Sequence, residues 1–189
     1  AIKKVMQQVR AFSSSPSNVL IYGESGTGKE LIARAVHETS PFSEGNFVAL
    51  NCSSIPTELF EGELFGHRDG AFTGAKRGGR KGLIEEAQDG VLFLDEISEL
   101  ALDQQSKLLR FLQERHYRPI GSNVEKPAYL KVITASNKEL KQLVVEGKFR
   151  ADLFFRINVF NIHIPPLRER TEDISSIAIQ KISRFITSY

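Results

Sequence analysis

The chain alternates between segments with a helical spacing of apolar residues and short, continuous apolar runs. Apolar residues recur every three or four positions from Ile2 to Phe12, which predicts an amphipathic helix. Similar spacing predicts further helices over 31–40, 56–66, 82–88, 103–115 and 138–149, and from Thr171 onward. Aliphatic runs predict strands at 19–22, 46–52, 91–96, 130–137 and 160–164. Strands that alternate with helices indicate an α/β fold, in which a five-stranded parallel sheet carries helices on both faces.

Composition narrows the class of protein without naming a function. The 189 residues are 41% hydrophobic and 25% charged, as in ordinary globular domains. Lys and Arg number 25 against 23 Asp and Glu, so no overall charge draws the chain toward nucleic acid or membrane. The single cysteine, Cys52, excludes an internal disulfide and fits a reducing compartment, so we expect a cytoplasmic protein. Every apolar run is far shorter than the roughly 20 residues of a membrane helix.

The segment GESGTGKE has the spacing of a phosphate-binding loop and lies between a predicted strand and a predicted helix, as such a loop requires. Its three glycines let successive backbone N–H groups face inward at a helix N-terminus, where phosphate is favoured. Lys29 is expected to reach the outer phosphates of a nucleotide. The eighth position holds Glu30 where Ser or Thr usually binds magnesium, so another residue must hold the metal. The predicted nucleotide-binding residues are Gly23, Glu24, Ser25, Gly26, Thr27, Gly28, Lys29 and Glu30.

The predicted strand VLFLDE ends in two acids, Asp95 and Glu96. Asp95 comes at the carboxyl end of a buried strand, the edge where open α/β sheets bind ligands. One carboxylate with phosphate oxygens is a usual shell for Mg²⁺, so Asp95 is the predicted metal ligand. Glu96 is then expected to act as a general base on a water. The alternative is a strand followed by a helix-capping acid, but the phosphate loop favours a site for phosphate and Mg²⁺.

Two amides end predicted strands in the same way as the acids. Asn137, after VITAS, is positioned to contact a γ-phosphate or the attacking water, or else to cap the next helix. Asn51 ends FVAL, and if its strand lies beside that of Glu96, its amide can hold the Glu96 carboxylate away from the water. A cap or turn residue is the alternative for Asn51 as well. The sequence leaves both choices open.

The segment GKFRADLFFRINVF carries Arg150 and Arg156. An arginine that a neighbouring subunit donates to a nucleotide stabilises the charge of the transition state. Arg156 also follows Asp152 by four residues, so a surface salt bridge worth under about 1 kcal/mol is the alternative.

The stretch DGAFTGA puts an aromatic residue, Phe72, between glycines in a predicted loop. Either the loop packs Phe72 locally, as in a Gly-rich hairpin, or a partner receives it. An exposed aromatic offers a partner large apolar area, and Thr73 adds a hydroxyl beside it. A basic cluster next to the loop suggests either DNA contact or a solvated face, and consists of Lys76, Arg77, Arg80 and Lys81.

Five segments together resemble the central AAA+ domain of the bacterial enhancer-binding proteins, which activate sigma-54 RNA polymerase. In chain order they are GESGTGKE, ELFGHRDGAFTGA, GVLFLDEI, ASNKEL and FRADLFFRINVF…IPPLRER. The resemblance covers nearly all of the chain, and GAFTGA is its most specific part. It implies a three-layer P-loop AAA+ domain, with an α/β nucleotide-binding subdomain at 1–165. Residues 166–189 would be a linker and the first helix of a truncated lid.

The resemblance also implies a role for each matching residue of the nucleotide site. Residues 23–30 would be the Walker A loop, and Asp95 and Glu96 the Walker B pair. Asn51 would be the partner of the glutamate switch, and Asn137 the first sensor. ATP and Mg²⁺ are the implied ligands, and ATP hydrolysis is the implied reaction. Glu30 is usual at this place in the family.

Contacts with other molecules follow from the same resemblance. Arg150 and Arg156 would be candidate arginine fingers, which implies a ring of six or seven copies. The residues that touch sigma-54 would be Gly70, Ala71, Phe72, Thr73, Gly74 and Ala75. Enhancer DNA would be bound by a domain that this chain lacks. The family's second-sensor Arg would lie beyond the chain end, so we expect weak ATPase activity and weak assembly from this chain alone.

Two other classes of function compete with a sigma-54 remodeller. One is a different AAA+ machine, such as a helicase loader or a protein unfoldase, and substitution of Phe72 or Thr73 in the loop at 70–75 discriminates between the two, since a remodeller then loses sigma-54 binding. The other is a non-enzymatic nucleotide switch, which the substitution Glu96→Gln separates from an enzyme, since an enzyme loses hydrolysis and keeps ATP binding.

Overall fold

The computed structural model describes residues 1–70 and 78–187. The helices within these ranges are α1 Ile2–Ser13, α2 Lys29–Glu38, α3 Thr57–Phe65, α4 Leu83–Glu86, α5 Leu102–Glu114, α6 Leu140–Val145, α7 Ala151–Ile157 and α8 Ile174–Thr187. The strands are β1 Val19–Tyr22, β2 Phe47–Asn51, β3 Gly66–His67, β4 Arg80–Lys81, β5 Val91–Asp95, β6 His116–Tyr117, β7 Lys126–Pro127, β8 Lys131–Ser136 and β9 Phe160–His163. Short 3₁₀ turns lie at Cys52–Ser54, Ile97–Glu99, Leu167–Glu169 and Thr171–Asp173.

Five of these strands form one parallel sheet in the order β2-β5-β8-β1-β9. β8 lies at the centre of the sheet, where it pairs with β5 on one side and β1 on the other, and it is buried along its whole length. Parallel strands buried on both faces carry near-continuous apolar sequence, which is the pattern of VLFL in β5. The predicted five-stranded parallel sheet is confirmed.

Alternate residues of β5 face two separate cores. Leu92 and Leu94 pack with side chains of α3, α5 and α7, whereas Val91 and Phe93 pack with α1 and α2. Successive side chains of a strand point to opposite faces, so one apolar run supplies both cores. The result is the predicted three-layer arrangement, with helices on both sides of the sheet.

Several predicted boundaries were wrong for local reasons. The helix expected over 138–149 is confined to α6, and Gly147 turns the chain there with φ 69°. The helix after the phosphate loop begins at Lys29, two residues earlier than predicted. The short helix α7 and the two-residue strands β3, β4, β6 and β7 were not predicted. Segments this short contain too few residues to show a period.

A small antiparallel pair is formed by residues that precede and follow the segment 71–77 in the chain. β3 and β4 pair with Gly66 opposite Lys81. The connection between β6 and β7 supports this pair, because the N–H of Ile120 donates to the Gly66 carbonyl at 2.9 Å. The pair therefore holds together the residues that come before and after that segment in the chain.

A buried lysine fastens the connection between α1 and β1. Lys131 at the start of β8 is fully buried, and its ammonium donates to three carbonyls, those of Phe12, Ser15 and Ser17. Burial lowers the pKa of Lys131 from 10.5 to about 8.

Among the helices that the structure describes, none is long and apolar enough to cross a membrane.

Candidate functional site

Three predicted site segments follow strands that are neighbours in the sheet. The phosphate loop follows β1, Asn137 follows β8, and Asp95 ends β5, so the strand order β5-β8-β1 places their carboxyl ends side by side. The N–H of Gly23 donates to the Ser136 carbonyl at 3.2 Å. The Nδ2 of Asn137 donates to Ser25 Oγ at 3.4 Å. The fold thus brings the loop, the acids and the amide of Asn137 to one edge.

The phosphate loop has the backbone conformation that its glycines permit. Gly26 and Gly28 have φ values of 78° and 96°, in the left-handed region. A Cβ at Gly26 would meet no atom within 4 Å, so the requirement for glycine there is conformational and not steric. α2 begins directly after Gly28, and no side chain caps its N-terminus. Uncapped N–H groups and the helix dipole together attract an anion, so this loop can bind a phosphate.

Lys29 and Glu30, the last two residues of the loop, differ in where their charges lie. Lys29 is 7% exposed, and its Nζ donates to the carbonyls of Gly23 and Glu24 at 3.0 and 3.2 Å. An ammonium with rotatable donors can exchange these carbonyls for phosphate oxygens. The Glu30 carboxylate instead accepts from Arg34 Nη2 at 2.6 Å on the exposed surface of α2.

Asp95 and Glu96 lie half-buried at the end of β5. Asp95 Oδ1 accepts a hydrogen bond from the backbone N–H of Glu96 at 2.8 Å. Glu96 has a left-handed backbone with φ 53°, which costs a non-glycine residue about 1 kcal/mol or more and is frequent at functional sites. The nearby thiol of Cys52 is affected by both acids: burial, and then the charges of Asp95 and Glu96, raise the pKa of Cys52 to about 12.

A magnesium ion at Asp95 would need oxygens from outside the protein. Among the described residues there is no group of three or more His, Cys, Asp or Glu side chains that could hold a metal. Mg²⁺ is commonly bound through one or two carboxylates and the phosphates of a nucleotide, with waters completing the octahedron. A single half-buried carboxylate beside a phosphate loop fits that coordination.

Asn51 is on the strand next to the acids, as the glutamate-switch hypothesis requires. β2 pairs with β5 in a register that sets Asn51 opposite Asp95. The side-chain Oδ1 of Asn51, however, accepts from the N–H and the hydroxyl of Ser53 at 2.9 and 2.8 Å. In this structure Asn51 therefore caps the turn that follows β2, which is the alternative that the sequence left open.

Asn137 is not the helix cap that the sequence offered as an alternative, because the N-cap of α6 is Glu139. The Oδ1 of Asn137 is buried and has no hydrogen-bond partner among the described residues. A buried amide oxygen without a partner at a ligand-binding edge is an acceptor available to a donor on another molecule, such as a water. The next residue, Lys138, pairs with Glu99 at 2.8 Å and ties this loop to the turn after β5.

The two predicted arginine fingers lie at opposite ends of α7. Arg150 makes a two-pronged pair with Asp152, at 3.0 and 2.8 Å, so the salt bridge that the sequence offered for Arg156 belongs to Arg150. The Nε and Nη2 of Arg156 donate to the Leu112 carbonyl at 3.1 and 2.7 Å. The carbonyl of Arg156 accepts from Asn18, which directly precedes β1. Arg156 thus lies at the sheet edge opposite the phosphate loop.

Only the first residue of the predicted sigma-54 loop is described. Gly70 has φ 70°, and residues 71–77 lie outside the described part of the chain. Within the neighbouring basic cluster, Arg80 pairs with Glu63 and Lys81 with Glu85. The predictions that lie outside the described residues concern Ala71, Phe72, Thr73, Gly74, Ala75, Lys76 and Arg77.

Two arginines that sequence reasoning missed contact the phosphate loop. Arg168 makes two hydrogen bonds to the Glu24 carboxylate at 2.8 and 2.5 Å, and these bonds, together with the charge of Arg168, lower the pKa of Glu24. Arg170 Nη2 donates to the Thr27 carbonyl at 2.9 Å. Both arginines belong to PPLRER, which the sequence indicated only as a linker. The one available signal was a pair of arginines in a short segment that begins with two prolines.

Comparison with known proteins shows which families and relatives this chain is similar to. Residues 1–163 match the family model described as Sigma-54 interaction domain. The Nif-specific regulatory protein of Azospirillum brasilense is 50% identical over 182 residues, 96% of this chain and 29% of that protein. A protein of Geobacillus stearothermophilus named limonene hydroxylase is 49% identical over 190 residues, 100% of this chain and 35% of that protein. The chain thus spans about a third of the length of these relatives.

Solved structures match the fold over most of the chain. NtrX from Brucella abortus in complex with ATP is 34% identical with a TM-score of 0.83, covering 93% of this chain and 39% of that one. The P-loop NTPase domain of a sigma-54 transport activator from E. coli is 22% identical with a TM-score of 0.59. The E. coli match covers 88% of this chain and 95% of that one, and its likeness extends to the fold alone. The sheet described above is thus the sheet of a P-loop NTPase.

Proposed function

The chain belongs to the Sigma-54 interaction domain family, and from this membership we propose that it couples ATP hydrolysis to remodelling of the sigma-54 RNA polymerase closed complex. It would do so as the AAA+ domain of a transcriptional activator. The observation that carries this proposal is the convergence of Gly23–Lys29, Asp95 and Asn137 on three neighbouring strand ends. Phosphate binding, metal binding and phosphate sensing need those three groups within one nucleotide's reach.

The proposed roles at the phosphate loop follow from its present contacts. The N-terminus of α2 and the loop N–H groups hold the phosphates, while Lys29 leaves the carbonyls of Gly23 and Glu24 to meet them. Asp95 holds Mg²⁺, which supplies charge neutralisation on the phosphate oxygens when it is bound. Glu30 remains on the helix surface with Arg34.

Glu96 is the proposed general base, and two amides would respond to the nucleotide. Asn51 lies opposite Asp95 in the neighbouring strand, so a small rotation away from Ser53 would bring its amide toward the Glu96 carboxylate. Asn137 would accept a hydrogen bond from the attacking water at its unpaired Oδ1, or turn its Nδ2 from Ser25 to donate to the γ-phosphate. These changes would report ATP, as opposed to ADP, to the rest of the domain.

Arg150 and Arg156 are proposed to act on the nucleotide of another copy. Arg156 lies at the edge opposite the phosphate loop, which supports action in trans and hence assembly into a ring of six or seven copies. Arg150 would exchange the exposed carboxylate of Asp152 for phosphate oxygens, at little cost because an exposed ion pair contributes little.

Contact with sigma-54 is assigned to residues 70–75, with Phe72 as the apolar anchor and Thr73 beside it. The pair β3 and β4 would transmit movement to this segment from the nucleotide site.

Residues 1–165 would form the nucleotide-binding subdomain, and residues 166–189 would form a linker and the first lid helix. Enhancer DNA would be bound by another domain of the same protein. The protein would be cytoplasmic.

Hydrolysis is tested with Glu96→Gln, using the exposed Glu86→Gln as a control. Glu96→Gln should lower ATP turnover by roughly a hundredfold or more while ATP binding persists, because only the base is lost. Equal turnover in both variants would exclude Glu96 as the base. A wild-type protein that binds ATP without turnover under any condition would favour a non-enzymatic switch.

Sigma-54 binding is tested by pull-down with ATP, with ADP and with a trapped transition-state analogue. Phe72→Ala or Thr73→Ala should abolish capture of sigma-54 and leave ATP turnover largely intact. Capture that survives both substitutions would overturn the assignment of residues 70–75 and favour a different AAA+ machine.

A further inference from the structure

Arg170 places a buried guanidinium directly behind the phosphate loop. The residue is 7% exposed, and its Nη2 donates to the Thr27 carbonyl at 2.9 Å. Its Nη1 lies 3.9 Å from Asp173 Oδ2, which partly balances the buried charge. Its Nε is also buried and has no hydrogen-bond partner among the described residues. Arginine is costly to bury, so a buried guanidinium whose closest hydrogen bond goes to a loop carbonyl calls for a specific role.

The contact with Thr27 also sets the direction of the next amide. A peptide unit is planar and trans, so its C=O and N–H point in opposite directions. With the Thr27 carbonyl held against Arg170, the N–H of Gly28 must point away from Arg170. Gly28 is the N-cap of α2, so its amide lies at the helix end where an anion is favoured.

Nothing in the loop's own sequence holds this peptide in one orientation. Gly28 has φ 96° and no side chain, and a Cβ built there would meet only Leu31 Cδ1, at 3.7 Å. Glycine visits both halves of φ space at similar cost, so the peptide between Thr27 and Gly28 can flip easily. A flipped peptide would aim the Thr27 carbonyl, an acceptor, at the place where phosphate oxygens would lie.

We propose that Arg170 is a positioning residue of the nucleotide site, which locks the peptide between Thr27 and Gly28 so that the Gly28 N–H faces the phosphates. This rests on the proposed nucleotide binding. Phosphate affinity then depends on the segment after β9, because Arg170 lies between the 3₁₀ turns Leu167–Glu169 and Thr171–Asp173 that lead to α8.

Arg168 provides a matched control from the same segment. It bonds the side chain of Glu24 and not a loop peptide, and both partners are exposed. An exposed ion pair contributes little, so removing it should weaken nucleotide binding by no more than about fivefold. A charge-assisted hydrogen bond from a buried guanidinium contributes more, so removing the donor of Arg170 should weaken binding by roughly tenfold or more.

The experiment compares wild type, Arg170→Met, Arg170→Lys and Arg168→Met in the intact protein. Affinity for ATP and ADP is measured by calorimetry, and the Gly28 amide resonance is followed by ¹⁵N NMR with and without ADP. In wild type, ADP should move the Gly28 amide proton downfield, as a donor to phosphate. Arg170→Met should lose both affinity and this shift, and Arg170→Lys, which keeps a charged donor, should restore part of each.

The outcomes separate this inference from the proposed function. Wild-type affinity and an unchanged Gly28 shift in Arg170→Met would overturn the role of Arg170 and leave ATP binding intact. Absence of nucleotide binding in wild type would instead refute the proposed function. A lower melting temperature with an unchanged Gly28 shift would show a merely structural arginine. If Arg170→Met does not fold, Arg170→Gln takes its place, with the same expected loss and the same refuting result.

Discussion

Replacing Asn137 by alanine should stabilise the nucleotide-free protein and weaken its binding of an ATP analogue. One end of the Asn137 amide is buried without a partner among the described residues, and the other makes a long bond of 3.4 Å to Ser25. An unpaired buried polar group costs about 1–3 kcal/mol, and a weak hydrogen bond contributes about 0.5 kcal/mol. The net expectation for Asn137→Ala is a gain of about 1 kcal/mol, or roughly 2–4 °C in melting temperature for a domain of this size.

The assay is thermal unfolding without ligand, with ADP and with a non-hydrolysable ATP analogue. Asn46→Ala is the matched control, because Asn46 Nδ2 makes a satisfied bond of 2.9 Å to the Glu86 carbonyl and its loss should lower the melting temperature. If Asn137 contacts the γ-phosphate, its removal should also reduce the extra stabilisation by the ATP analogue relative to ADP. An Asn137→Ala protein that loses stability as Asn46→Ala does would refute the reasoning.

Three further predictions concern stability and reactivity. The folded pKa of Lys131 is about 8 against 10.5 in the unfolded chain, so the unfolded state binds more protons between pH 8 and pH 10.5. In urea titrations, the unfolding free energy of wild type relative to Lys131→Met should therefore rise by up to about 3 kcal/mol over that range. A difference that does not change with pH would contradict the burial of that charge. Gly45→Ala should lower the unfolding free energy by about 3 kcal/mol or more, since its Cβ would lie 2.1 Å from the Asp89 carbonyl oxygen, and wild-type stability would show that the loop can give way. Cys52, with its pKa raised to about 12, should react with a thiol reagent at pH 8 only after unfolding, and fast labelling of the native protein would show an open site.

The sequence anticipated the main sheet because its signals are local and strong. VLFLDE and VITASN each combine a buried run with a polar end, and both lie where the structure has strands followed by turns. Helix limits were less accurate where a single glycine ended the helix, as at Gly147 after α6. The two-residue strands carry no period, so only pairing partners distant in sequence define them.

The candidate site was anticipated in its residues more than in its contacts. The phosphate loop, Asp95 and Asn137 converge as the strand ends predicted, because parallel strands share one carboxyl edge. Asn51 lies on the expected neighbouring strand, yet its side chain is bound to Ser53. Arg150, and not Arg156, pairs with the carboxylate of Asp152, whereas the sequence suggested this salt bridge for Arg156.

By itself, the sequence determined the five strands of the main sheet, most of the helices and the glycines of the phosphate loop, because burial periodicity and φ preference act between near neighbours. Tertiary structure alone decided that Arg168 and Arg170 reach Glu24 and Thr27, across more than 140 residues of chain. Such contacts follow from the strand order, in which β9 lies beside β1 although it comes last in the chain. Strand order depends on how two separate cores are filled at once, a condition that no local pattern encodes.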